Sequence, residues 1–354
     1  MIDTLSTLDA FDIVKNSRQW LKNHPASTET SEKTKQEYAR ELMRLISKAE
    51  EYDAKNIWAA ICATQKKTTF QKRKIAARDG CSSLIEQMLR SQDEKQRNKD
   101  QDAWLLSVRS LNRITTIAKD LHSLLEASKG ACPLENPVKK TSKRSMLSSL
   151  PYDWREQMLA HLSLTPHKQA FLLAAVTGLR PIEMKLGVTL TLSERHMSIR
   201  IDGAKVKENQ GQPWRTIRYE IDEGKCHPLV WELYSCLWKS PQDNGEHTIS
   251  ARPVAFTSAV RRAGNRVDKK TSEEITPYCL RHQFASDLKR TLGDEDLISE
   301  ALGQSVSATR KLYGRARSSS RNPLLPTGIK AAREIRQTHT HVKNLVTSLA
   351  RKAP

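Results

Sequence analysis

Phe171-Leu172-Leu173-Ala174-Ala175-Val176-Thr177-Gly178-Leu179-Arg180-Pro181-Ile182-Glu183 is the stretch from which the rest of this chain is read. Its first half is an apolar helix. Gly178 is the residue type that ends a helix in the left-handed conformation. Pro181 suits the first turn of a following helix, where its missing N–H costs nothing. Arg180 is thereby held at a tight helix–helix corner, with Glu183 close enough to orient it. Alone, the pair reads equally well as a structural ion pair.

On the C-terminal side, apolar residues alternate at Met197, Ile199 and Ile201, and again at Ile217, Tyr219 and Ile221. Period-two alternation on both sides of a polar, Gly-containing turn predicts a β-hairpin. Lys205 and Lys207 lie in that turn, where a lysine is ordinarily a solvated charge. Further on comes Thr276-Pro277-Tyr278-Cys279-Leu280-Arg281-His282-Gln283-Phe284-Ala285-Ser286. Thr276 can cap a helix and Pro277 can open it. Tyr278 and Arg281 then share a face, while Phe284, Ala285 and Leu288 supply the buried stripe. The last segment is Ala301-Leu302-Gly303-Gln304, with Ser305 or Ser307 starting a helix that reaches Tyr313. A lone tyrosine on a helix is ordinarily packing.

On the N-terminal side the pattern is helical. A short helix is expected around residues 8–21, and another over residues 34–51 with Tyr38, Leu42, Leu45 and Ile46 on one face. Asp53 can cap the next, burying Ile57, Trp58 and Ile61. A basic helix follows with Lys66, Lys67, Lys72, Arg73 and Lys74, and then a long one over residues 102–127. Gly130, Pro133 and Pro137 break the pattern before Lys139, Lys140, Lys143 and Arg144, which reads as a basic linker. The expected organisation is a helical domain over 1–130, a linker over 131–149, a mainly α domain with a small antiparallel sheet over 150–325, and a tail over 326–354. The tail shows helical spacing at Ile329, Ala332 and Ile335, so a helix packed on a neighbouring protomer is expected there.

Charge narrows the partner. Lys and Arg number 59 against 40 acidic residues, for a net charge of +19. Such an excess favours a polyanion, because each phosphate contact releases counterions. The basic helix and linker residues are therefore the expected DNA-facing positions. No apolar run is long enough for a membrane span and no secretory signal is evident, so a cytoplasmic, nucleoid-associated location is expected. The six cysteines form no C-x-x-C pair and the histidines show no zinc spacing, so neither metal nor cofactor is expected.

Taken together, the four segments resemble the catalytic domain of tyrosine recombinases, the phage integrase family. The family's first arginine lies in a T-G-L-R-x-x-E box, matched by Arg180 with Glu183. Its lysine sits on a hairpin turn, matched best by Lys205, with Lys207 the other candidate. The H-x-L-R-H-x-F/x-A box is matched by residues 278–285, with Arg281 as the arginine and His282 after it. An L-G-H/W box precedes the nucleophilic tyrosine by nine positions, as Gln304 precedes Tyr313. Tyr278 and Gln304 depart from the family's histidine and His/Trp. The resemblance covers about residues 150–320; the helical domain before it is similar to the family's core DNA-binding domain in architecture alone.

What the resemblance implies is site-specific recombination through a 3′-phosphotyrosyl bond, in integration or excision of a mobile element or in replicon resolution. The implied partners are double-stranded DNA carrying specific sites, three further copies of the chain in a tetramer, and an accessory or directionality protein. The chemistry fits: two arginines can clamp the non-bridging oxygens, the phenol becomes the nucleophile, and a lysine can protonate the leaving 5′-oxygen. DNA relaxation of the type IB topoisomerase kind uses the same groups, but the L-G-x box and chain size favour recombination. A non-catalytic DNA-binding regulator on this fold is the other reading, and retention of Arg180, Lys205, Arg281 and Tyr313 together argues against it.

Overall fold

The computed structural model describes residues 7–25, 27, 30–49, 53–129, 133–138, 142–204, 206–239, 245–268 and 275–337. The chain divides into two units, residues 1–140 and 141–354.

Unit 1 is helical: α1 (Thr7–Asn23), α2 (Glu32–Lys48), α3 (Ala54–Cys62), α4 (Lys67–Arg97) and α5 (Gln101–Ala127). Each buried stripe follows from helical spacing. Leu42 and Leu45 of α2, Ile57 and Ile61 of α3, Phe70, Ala77 and Ile85 of α4, and Leu111, Leu121 and Leu125 of α5 close one core. Asp53 caps α3 by accepting from the Asn56 N–H at 2.8 Å, as its position predicts. α2 lies so close to α4 that a Cβ on Gly80 would meet Leu42 Cδ2 at 2.9 Å.

Unit 2 contains α6 (Lys143–Met146), α7 (Trp154–Leu162), α8 (Lys168–Thr177) and α9 (Pro181–Leu186) ahead of three strands. The strands are β1 (Val188–Ser193), β2 (His196–Asp202) and β3 (Trp214–Glu220). After them come α10 (Pro228–Trp238), β4 (Glu246–Ile249), α11 (Pro253–Val267), α12 (Pro277–Thr291), α13 (Glu295–Ala301) and β5 (Gly328–Ala331). The sheet is antiparallel in the order β4-β1-β2-β3-β5. The predicted hairpin is present: Met197 faces Tyr219 and Ile199 faces Ile217. Its inward side packs on the apolar faces of the helices. A mainly α fold with a small antiparallel sheet is what the periodicity led one to expect. No helix of the described residues is long and apolar enough to cross a membrane.

Two expectations are corrected here. Part of the stretch read as linker is packed: Met146 and Leu147 are buried in the core of unit 2 and draw α6 onto it. Residues 327–331 are not helical. Thr327 N donates to Arg218 O at 2.8 Å, and Gly328–Ala331 pairs with β3 as an edge strand. The unpaired edge of β3 offers a ladder, while Pro326 and Gly328 disfavour helix continuation. Residues 338–354, where the rest of that expected helix falls, lie outside the described residues.

Candidate active site

The corner read from the sequence is a hub. Gly178 ends α8 with φ +57°, and a Cβ there would meet Phe284 Cδ1 at 2.6 Å. The corner therefore lies directly on α12, and Arg281 Nη1 donates to Gly178 O at 2.8 Å. Arg180 starts α9. Its backbone N–H donates to Glu183 Oε2 at 2.8 Å and its Nη1 to Oε1 at 2.5 Å. The other partner of Glu183 is Arg215, whose Nη2 donates to Oε2 at 2.9 Å. Burial works against the Glu183 charge, but Arg215 and Arg180 outweigh it and hold the carboxyl down at about 2. Arg215 occupies an inward position of β3, in phase with Ile217 and Tyr219. A charge in that phase requires a buried counter-ion, and this is the signal by which the sequence reveals it.

Arg281 is wholly buried on α12. Besides Gly178 O, it donates through Nη2 to Leu302 O at 2.5 Å, and its Nε has no protein partner. Burial and the neighbouring Arg180 push it down to about 10, against the opposing pull of Tyr313 and Glu183. Its guanidinium carbon lies 4.6 Å from the centre of the Tyr313 ring. The His282 ring is 5.1 Å from that ring on a tilted approach. Burial would raise the Tyr313 phenol, but the charges and hydrogen bonding of Arg281 and Arg180 win and lower it. So Arg180, Arg281 and Tyr313, more than a hundred residues apart at the extremes, share one site.

Tyr313 is not on a helix. A 3-10 turn spans Ser307–Leu312, and Tyr313 follows it in extended conformation. The segment is fastened to α12 instead. Gly314 N donates to His282 Nδ1 at 3.3 Å, and a Cβ on Gly314 would come within 2.2 Å of His282 O. Lys289 donates to the carbonyls of Arg310, Tyr313 and Gly314 at 3.0, 2.9 and 2.7 Å. Arg144 donates to Lys311 O at 2.7 Å. Beyond the tyrosine, Ser320 N and Oγ both donate to Asp287 Oδ1, and Arg155 closes that buried carboxylate at 2.8 Å. None of Arg215, Lys289, Arg155 or Asp287 is evident from the four boxes.

The two departures from the motif behave differently. Tyr278, on the first turn of α12, is 41% exposed and near enough to act on Arg180. Gln304 is buried, and neither side-chain amide atom has a protein partner. Its backbone carbonyl accepts from Gln212 Nε2 at 2.9 Å, tying the 303–305 turn to the hairpin. Gly303 just before it has φ +62°, and a Cβ there would meet Arg215 Nη1 at 2.6 Å. Lys205 lies outside the described residues. Lys207 is exposed, and its carbonyl accepts from Arg333 Nη1 at 2.8 Å.

The basic positions divide. Lys66, Lys67 and Lys72 are exposed on unit 1. Lys74 is half-buried and donates to Ser128 Oγ at 2.8 Å. Arg73 turns inward, against expectation: Nη1 donates to Ala60 O and Ala63 O, closing the end of α3, and Nε sits 3.6 Å from Glu41. The free carbonyls at a helix C-terminus attract a guanidinium more strongly than solvent does. In unit 2, Lys143 and Arg144 are half-buried. Lys139 and Lys140 lie outside the described residues. Among the described residues no group of three or more His, Cys, Asp or Glu could hold a metal ion.

No protein-family profile and no curated protein matches the chain. Solved structures are. A XerA recombinase is 14% identical with a TM-score of 0.33, over 98% of this chain and 99% of that one. The Tn1549 transposon integrase, in complex with a circular intermediate DNA, is 14% identical with a TM-score of 0.40, over 86% and 95%. The XerH site-specific recombinase bound to its difH substrate is 16% identical with a TM-score of 0.35, over 86% and 91%.

Proposed function

We propose that unit 2 is the catalytic domain of a tyrosine-type site-specific DNA recombinase and that unit 1 is its second DNA-contacting domain. The observation that carries this reading is the Tyr313 ring against the buried Arg281 guanidinium, with Arg180 acting on the same phenol. Two arginines and a tyrosine with a lowered pKa, at a protein of charge +19, suit attack on a phosphodiester. Arg180 and Arg281 bind the non-bridging oxygens, where charge accumulates in the transition state. The Tyr313 oxygen, its proton passing to water, bonds to phosphorus as the bond to the 5′-oxygen breaks. A lysine of the hairpin turn, Lys205 before Lys207, protonates that oxygen. The 3′-phosphotyrosyl bond keeps the energy of the phosphodiester, and the 5′-hydroxyl of a second DNA end reverses the step. Four copies on two DNA sites, with an accessory or directionality protein, complete the proposal; its setting is integration, excision or replicon resolution in the cytoplasm.

The test is covalent capture on nicked DNA carrying candidate end sequences. The native chain should leave a denaturant-resistant protein–DNA adduct, and Tyr313→Phe should bind the same DNA without forming one. An adduct formed by Tyr313→Phe would dismiss the assignment.

A further inference from the structure

We propose that Lys289 is a positioning residue that fixes the nucleophilic segment on α12 through its ammonium group, which rests on the reading of Tyr313 as nucleophile. Residues 310–314 run from the last turn of the 3-10 segment into extended chain, and of their carbonyls Arg310 O accepts a backbone bond, from Tyr313 N at 3.1 Å. Three of those carbonyls, of Arg310, Tyr313 and Gly314, converge on Lys289 Nζ. An ammonium has three donors and no acceptor, so here each N–H has one acceptor. A fourth carbonyl, of Lys311, is held by Arg144. The segment therefore depends on two side-chain cations for order that backbone pairing gives elsewhere.

The register matters to the chemistry. Lys289 stands about two turns beyond Arg281 on the same helix. One rigid element thus carries both the guanidinium under the Tyr313 ring and the clamp on the Tyr313 carbonyl. His282, between them, takes the Gly314 N–H on Nδ1. Loss of the clamp would remove the direct tie between α12 and the Tyr313 carbonyl, leaving the Gly314 and Arg144 contacts, and small errors in nucleophile placement cost rate steeply.

Burial works against the charge of the clamp. Lys289 is faced by Arg144 and Arg310, both cationic, and by His282, which burial and Arg281 push down to about 4 and which is neutral near pH 7. Asp287 on the same helix is committed to Arg155 and Ser320. Burial first, then Arg144 and Arg310, bring Lys289 down to about 8. The ordered segment therefore binds that proton less tightly than a loosened one would, and segment order is not lost as pH rises through that value. The clamp rests on the three converging N–H···O contacts.

The experiment uses the full chain as the native protein, Lys289→Arg and Lys289→Met. Amide hydrogen exchange of residues 306–316, corrected for chemical exchange at each pH, is followed from pH 6.5 to 9.5 without DNA. The same proteins are then scored for covalent adduct on a pool of nicked duplexes of randomised sequence. Lys289→Met should exchange this segment on the order of tenfold faster or more, as expected for lost charge-assisted hydrogen bonds, and form adduct correspondingly slowly. The native protein should keep or gain protection as pH rises to about 9.5, and Lys289→Arg, charged throughout, should be protected like the native protein near neutral pH and keep forming adduct. Native protection through Lys289→Met, or a loosened segment with an unchanged adduct rate, overturns the proposal. If Lys289→Met does not fold, Lys289→Gln replaces it, and native protection of residues 306–316 in that variant overturns the proposal too. The predicted exchange pattern without adduct from the native protein supports the clamp and counts instead against Tyr313 as nucleophile.

Discussion

Glu183 and Arg215 are joined at 2.9 Å with neither side chain reaching solvent. The same carboxylate holds Arg180 at the mouth of the site. Arg215 thus supports, from the sheet, the residue that orients Arg180. Removing one partner of a buried pair leaves an uncompensated charge, so Arg215→Met should lower unfolding free energy by about 3–5 kcal/mol. Arg215→Met with Glu183→Gln should recover much of that loss. Urea denaturation of the two single variants and the double variant measures it; a double-variant loss equal to the sum of the single losses would show that the pair is not coupled.

Stability should depend on pH through the same carboxylate. Its folded pKa of about 2 lies below the ordinary 4.5. A depressed acid contributes stability in full above its unfolded value and loses it as pH falls toward the folded one. Glu183 should therefore supply about 3 kcal/mol above pH 5, fading between pH 4.5 and 2. Glu183→Gln should flatten that part of the stability curve, and an unchanged slope would contradict the assignment.

The corner is the next place to press. Gly178 has φ +57°, and an added Cβ would collide with Phe284 on α12. Gly178→Ala should cost more than about 1 kcal/mol from the left-handed backbone alone. It should also displace the carbonyl that Arg281 Nη1 uses. Adduct formation should then fall further than DNA affinity, which separates a displaced clamp from a general loss of fold.

These relationships were unequally legible in the sequence. Helix punctuation is local, so Gly178, Pro181, Thr276 and Pro277 place the two arginines from a few adjacent residues. Arg215 is visible only to a reader who extends the alternation of Ile217 and Tyr219 one step back and asks what neutralises it. Lys289 has no such signal, since its acceptors are backbone carbonyls that any residues would offer. Residues 327–335 mislead in the opposite sense: apolar spacing of three fits a helix, but the open edge of β3 decides the outcome. Tyr313 misleads likewise, because its segment takes its order from α12 rather than from its own propensity.

The proposed division between charged and neutral donors makes a graded prediction. Tyr278 and Gln304 can each donate hydrogen bonds without carrying charge. The Tyr278 phenol lies partly in solvent, and the buried Gln304 amide has no protein partner. Losing one neutral donor should cost about 2–4 kcal/mol of transition-state stabilisation at most. Losing Arg180 or Arg281 should cost more, since charge-assisted bonds are about twice as strong. Tyr278→Phe and Gln304→Ala should therefore be slow but measurable in single-turnover cleavage, with Arg180→Ala and Arg281→Ala near dead. A Tyr278→Phe variant as inert as Arg281→Ala, with an ionisation missing from its pH profile, would make Tyr278 an acid–base group instead.

The leaving oxygen supplies the last prediction. Lys207 opens a tight turn closed by Lys207–Gln210 backbone bonds, and Arg333 holds its carbonyl. Lys205 stands two residues nearer the end of β2 at Asp202. A general acid is needed only when the departing group is a poor one. A 5′-bridging sulfur leaves as thiolate without help, because a thiol's pKa is far below an alcohol's. Lys205→Ala should therefore lose cleavage of ordinary DNA and regain it on the sulfur-bridged substrate. Arg180→Ala should lose both, since its charge is needed whichever atom leaves. Sulfur rescue confined to Lys207→Ala would transfer the role two residues along the turn. Rescue of neither variant would place the proton donor elsewhere in the site.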